Sequence, residues 1–388
     1  MLNRKGSVMK KVALLFVWAL LTTGAFAQEI SALQVGLTQG NVPVYLLKNQ
    51  NKQGTASYHV IIGEKGMGPY EKVHNLYFSH DGTSFAYLAY NKGYLYVIID
   101  NETQGPYDEV KNVGFSSDGK ILYVAAINDK WYVIQGKEKA GPYDGVEKFT
   151  LAPDGKSIAY WAIIGDRYYV IWGKEKAGPY DANDWFWELQ FSPDGKSFAY
   201  AGVMNDRWYL VRGKETTGPY DRVDSLAFSP DGNILAYRVR IDNKYYVIAG
   251  KDVAGPYDDI NDRLTFSPDG KILAYPAKIS GKWYVVVNNK KIGSYEDVAY
   301  ITFSPDSKTL AYAAKIKDKW YLVTGNKNAG PHDDVQDITF SADGKAIAYR
   351  ADLNGDWCTM LVMNNKLYVG TLLQGKKVYL EEKNVMIE

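Results

Sequence analysis

The chain has 388 residues and a net charge of +1, from 45 basic and 44 acidic side chains. That balance leaves no long-range field to draw it to nucleic acid or an anionic membrane surface. Aromatic residues are abundant, with 32 Tyr, 10 Trp and 13 Phe, a bias that suits the pleated, half-buried faces of β-strands.

The first segment reads as a signal peptide over residues 1–27. Lys10 and Lys11 form a positive start, Val12 to Leu21 an apolar run, and Ala25-Phe26-Ala27 a small-x-small cleavage pattern. The run is shorter than the roughly 20 apolar residues that a membrane-spanning helix needs. Cleavage after Ala27 would leave Gln28 as the first mature residue, with no cysteine there to carry a lipid. The expectation is a periplasmic or secreted, soluble, monomeric protein. Its single cysteine, Cys358, leaves it without an internal disulfide, so packing alone must hold the fold.

Residues 28–388 are organised by a repeat. One landmark occurs as Gly68-Pro69-Tyr70-Glu71, Gly105-Pro106-Tyr107-Asp108, Gly141-Pro142-Tyr143-Asp144 and Gly178-Pro179-Tyr180-Asp181. It continues as Gly218-Pro219-Tyr220-Asp221, Gly255-Pro256-Tyr257-Asp258, Gly293-Ser294-Tyr295-Glu296 and Gly330-Pro331-His332-Asp333. The glycines are 37, 36, 37, 40, 37, 38 and 37 residues apart. A second landmark, mostly Phe-Ser-Pro-Asp-Gly, keeps step with it at Phe78, Phe115, Leu151, Phe191, Phe228, Phe266, Phe303 and Phe340. Upstream, a divergent unit over 33–72 keeps Val44-Tyr45, Tyr58 and Gly68 but has a poor first strand.

The unit from Val223 to Asp258 shows why the repeat should fold as it does. Leu226 and Phe228 alternate with Ala227, the period of a half-buried strand. Ser229-Pro230-Asp231-Gly232 then turns the chain, with proline presetting φ and glycine accepting a positive φ. Ile234 to Tyr237 and Tyr245 to Ile248 make two further strands. The Gly255-Pro256-Tyr257-Asp258 segment makes a fourth, whose proline confines it to a sheet edge. Four short antiparallel strands per unit, without helical periodicity, define an all-β fold: a single β-propeller of four-stranded antiparallel blades. Eight blades are expected, with seven as the alternative, the two termini sharing or flanking the closing blade. Trp131, Tyr168, Trp208, Tyr245, Trp283 and Trp320 recur in every unit and read as packing between blades.

The Phe-Ser-Pro-Asp-Gly-Lys pattern followed by Ala-Tyr, at Phe191 to Tyr200 and Phe266 to Tyr275, resembles the WD40-like (PD40) repeat of TolB-type propellers. The resemblance implies the fold and a cell-envelope location. It departs from TolB in lacking room for a preceding α/β domain and in its Gly-Pro-Tyr-Asp endings.

Chemistry-bearing motifs are sparse. His59, His74, His80 and His332 occupy unrelated positions, His332 standing where other units have tyrosine, and no spacing suggests a metal site. No Gly-x-Ser-x-Gly elbow is present, and Gly155-Lys156-Ser157 and Gly195-Lys196-Ser197 lack the upstream glycines of a phosphate loop. The aspartates of the Ser-Pro-Asp-Gly segments read as turn chemistry. A channel hydrolase would place carboxylates or histidines on the first strands, where the pattern reads Leu, Ala, Val and Thr. The clearest break in the repeat is the widened connection carrying Trp185, Phe186 and Trp187, three aromatics suited to anchor a partner. The expectation is therefore a non-enzymatic interaction scaffold without cofactor or metal, binding a protein or peptide in the cell envelope. A carbohydrate- or cell-wall-binding module is the alternative, and a hydrolase the lesser one.

Overall fold

A computed structural model describes residues 29–37, 43–50, 55–63, 65–181, 188–261, 264–364, 366–373 and 377–383. The signal segment and the connection holding Trp185, Phe186 and Trp187 lie outside the described residues.

The architecture is all-β and of β-propeller type: successive antiparallel sheets, each with its strands hydrogen-bonded in chain order. Among the described residues there are nine such sheets, labelled blades 1 (29–70), 2 (72–107), 3 (109–143), 4 (145–180), 5 (189–220), 6 (222–257), 7 (259–295), 8 (297–332) and 9 (334–383). The strands fall into two compact units, residues 1–178 and 179–388, the division lying inside the last strand of blade 4, Glu175–Tyr180.

The ends depart from the expectation. The divergent N-terminal unit builds a sheet of its own, because Glu29–Leu37 pairs along its length with Pro43–Gln50 despite its weak pattern. At the other end Lys366–Leu373 and Lys377–Lys383 extend blade 9 to five strands. The termini therefore lie in separate sheets, so of the two arrangements expected the shared blade is not formed.

Within a blade the local chemistry is as the repeat dictates. In blade 6 the strands are Arg222–Phe228, Leu235–Ile241, Lys244–Ala249 and Asp252–Tyr257. Gly232 adopts φ 74° and its N–H donates to the Ser229 carbonyl at 2.8 Å, closing the turn. The Ser229 hydroxyl is fully buried, donates to Asp231 and accepts the Ile234 N–H. The Gly-Pro-Tyr strand lies at the edge of its sheet, where proline removes no ladder bond.

The core lies between consecutive blades. The face of blade 6 carrying Val223, Leu226, Phe228, Leu235 and Val239 packs on Ala201, Val203, Trp208 and Leu210 of blade 5. Its other face, with Ala227, Ala236, Tyr245 and Val247, packs on Ile260, Leu264, Tyr275 and Ala277 of blade 7. Val223 and Leu226, three residues apart, share a face because a bulge at Ser225, φ 56°, resets the register.

Candidate functional site

Most of the polar residues that recur in the sequence have structural partners. The tyrosine of Gly-Pro-Tyr reaches the Ala-Tyr tyrosine of the next blade, and their hydroxyls share a hydrogen bond. Tyr107 and Tyr123 meet at 2.9 Å, Tyr143 and Tyr160 at 3.0 Å, Tyr257 and Tyr275 at 3.1 Å, and Tyr295 and Tyr312 at 2.8 Å. The rings meet edge to face, a geometry that adds to the area they bury. Burial raises Tyr123, Tyr160, Tyr275 and Tyr312 above the ordinary phenol value, so these hydroxyls stay protonated at physiological pH. His332 keeps the role of the tyrosine it replaces, its Nε2 lying 3.0 Å from the Tyr349 hydroxyl.

The acid that follows this tyrosine ties the hairpin of the next blade. Asp108 accepts from the Asn128 N–H at 2.7 Å, Asp221 from Asp242 at 2.8 Å and Asp333 from Asn354 at 2.7 Å. Lys130 and Lys244 bridge Asp144 and Asp258 within their own blades. Among the described residues no group of three His, Cys, Asp or Glu could hold a metal ion.

The first strands are less apolar than the sequence pattern suggests. Next to the bulge they carry His74, Lys111, Glu147, Asp224 and Gln336, because an extra residue lets a polar side chain occupy a strand without displacing the Leu and Val set. His74 and Glu147 are exposed. Asp224 is 6% exposed and is the only buried carboxylate among the described residues.

Around Asp224 the repeat is broken. Arg222, Asp224, Arg238 and Arg240 project from one face of blade 6, since Arg222 is cross-strand to Arg240 and Asp224 to Arg238. The Arg222 Nε and the Arg238 Nε each donate to Asp224, both at 2.5 Å. A second Arg238 nitrogen donates to the Ile260 carbonyl of blade 7, where the first strand stops after Asp259–Ile260. Arg238 also lies over the Tyr245 ring, 5.3 Å from its centroid. Burial opposes the charge of Arg238, but the Asp224 carboxylate outweighs it and holds the guanidinium above its ordinary value. Arg240 stands between Arg222 and Tyr245 in the ladder, and its buried Nε has no hydrogen-bond partner among the described residues. At the Arg238 position other blades have Leu88, Val124, Trp161, Ala201 and Ala313. Blade 9 also has an arginine there, Arg350, but opposite Gln336; an arginine opposite an aspartate was the signal in the sequence that pattern reading passed over.

A second irregularity lies between blades 8 and 9. A cavity of about 290 Å³ is walled by Leu322, Ala329, Phe340, Ile347 and Val362, with Lys327 and Lys345 also lining it. It lies beside Thr324, the position from which Arg212 reaches the Gly232 carbonyl and Gln135 the Lys156 carbonyl in other blades. Thr324 is too short to make that crossing.

No family model matches the chain, and no curated protein matches it. Among solved structures it is similar to the Dos1 propeller, at 13% identity and a TM-score of 0.40, over 74% of this chain and 92% of that one. It is also similar to TolB from Acinetobacter baumannii, at 16% identity and a TM-score of 0.30, over 73% and 79% of the two chains. A putative 6-phosphogluconolactonase from Bacteroides uniformis matches at 16% identity and a TM-score of 0.28, over 88% and 91%. At these scores the likenesses carry no argument about activity.

Proposed function

We propose that the chain is a non-enzymatic interaction scaffold of the cell envelope, exported by residues 1–27 and binding a protein or peptide partner. The WD40-like repeat of TolB-type propellers is the family reading that accompanies it. The observation that carries the proposal is how the repeat disposes of its polar groups. Its tyrosines, turn serines and acids are taken up in hydrogen bonds within and between blades, so specific recognition falls to positions where the repeat is broken. Trp185, Phe186 and Trp187 are one such break, and their side-chain types suit an anchoring contact.

Pull-down from envelope extract with the full exported chain, beside Trp185→Ala and Trp187→Ala, tests this reading. The expected result is a discrete protein partner retained by the parent and lost from at least one variant. Retention of every partner by both variants removes the aromatic connection from the proposal, and capture of glycan in place of protein replaces it with the carbohydrate-binding alternative. A chain recovered from the envelope that still begins before Gln28 overturns cleavage after Ala27, and a chain found only in the cytoplasm overturns the export step.

A further inference from the structure

Like charges placed directly opposite each other on antiparallel strands destabilise the pair, because their Cβ atoms are only about 5 Å apart. Arg222 and Arg240 are such a pair. At the same register blade 7 sets Asp259 opposite Lys278 and blade 8 sets Asp297 opposite Lys315, each a complementary pair. In blade 6 the nearest carboxylate on the same face, Asp224, is already shared between Arg222 and Arg238. Three guanidinium groups thus share Asp224 and the more distant Asp259 of blade 7, which leaves positive charge in excess, and Arg240 keeps a buried donor unpaired among the described residues. A buried donor without an acceptor is destabilising, and a further anion removes both that cost and the repulsion. The Arg222 side chain is 37% exposed, so the site can be reached from solvent. Tyr245, cross-strand to Arg240, supplies a flat half-buried wall.

We propose that the Arg222–Arg240 pair of blade 6 is a carboxylate-binding site that takes an acidic side chain from a segment of the protein partner. The inference rests on the scaffold reading and adds the chemistry of the partner to it. Arginine suits this task because its planar fork offers paired donors to a carboxylate. Asp224 acts as a positioning residue, holding Arg222 and Arg238 on the same face while leaving Arg240 available.

The test uses the full exported chain and two short peptides of equal length, one glutamate-rich and one with every glutamate replaced by glutamine. Arginine Nε–H resonances and calorimetry are the readouts, with inorganic phosphate as a third titrant. The expected result is saturable binding of the glutamate peptide, a shift of the Arg240 Nε–H resonance, and about tenfold weaker binding by Arg240→Gln. Lys278→Gln in blade 7 should leave binding unchanged. Equal binding of the glutamine peptide, or no loss in Arg240→Gln, overturns the site. Saturation by phosphate but not by the glutamate peptide assigns it to a small free anion and overturns the acidic-segment assignment. In the pull-down, Arg240→Gln that keeps the protein partner defeats this inference alone, whereas a parent chain without any protein partner defeats the scaffold reading beneath it.

Discussion

Blades 6 and 7 are built from the same repeat, yet the cross-strand pair that opens each of them differs in kind. Blade 7 sets Asp259 against Lys278, whereas blade 6 sets Arg222 against Arg240 and places Asp224 beside them. The first arrangement sets opposite charges across from each other. The second buries one carboxylate at a position whose polar residues in other blades, such as His74 and Glu147, are exposed, and leaves one guanidinium with spare capacity. A repeat can thus change the charge of one blade by substitution at a position whose backbone is already fixed, without altering the blade.

The sharpest way to break this comparison is to remove the buried carboxylate. Asp224→Asn leaves Arg238 buried without its counter-ion and should cost about 3 kcal/mol in urea unfolding. Asp258→Asn, at the exposed Lys244 bridge, should leave the midpoint almost unmoved. Equal midpoints for the two variants would show that Asp224 is not electrostatically special. A smaller effect is expected at the contact common to most blades. Tyr275→Phe removes the hydroxyl shared with Tyr257 and should lower stability by about 1 kcal/mol in the same measurement.

The like-charge pair itself should give a smaller change of opposite sign. Without an added anion, Arg240→Gln relieves the repulsion and should raise stability by about 0.5 kcal/mol, while Lys278→Glu in blade 7 should lower it by a similar amount. A loss of stability in Arg240→Gln would mean that its charge is already compensated. The slightest effect belongs to the turns. Hydrogen bonds from the Ser229 and Ser267 hydroxyls are the largest cause holding Asp231 and Asp269 below the ordinary value of 3.8. A carboxylate depressed by folding contributes stability that is present above 3.8 and lost as pH falls through its lower folded value. Urea midpoints should therefore be flat from about pH 7 to 5 and decline below about pH 4. Ser267→Ala should remove part of that acid dependence, at blade 7 alone.

Much of this was legible beforehand. The Phe-Ser-Pro-Asp-Gly turn, the edge placement of Gly-Pro-Tyr and the packing role of Trp208 and Trp283 follow from local chemistry, and all are found in the structure. The same reading treated Arg238 as one more strand residue, because period-two alternation assigns a face without saying which neighbour that face meets. It recorded His332 only as standing in the place of a tyrosine, whereas the side chain still reaches Tyr349. It left open whether the chain ends share or flank a closing blade, since weak patterning at Glu29–Leu37 gave no sign of the pairing with Pro43–Gln50.

The sequence by itself determined the blade, because turn, edge and alternation signals act over a few residues and recur in register. Tertiary structure alone decided that Tyr107 meets Tyr123, that Asp108 ties the hairpin at Asn128, and that Asp224 is shared by two arginines. Those contacts join residues brought together by strand pairing and by packing of one blade on the next. Their energies depend on burial and on a register reset at Ser225, neither of which a linear pattern records.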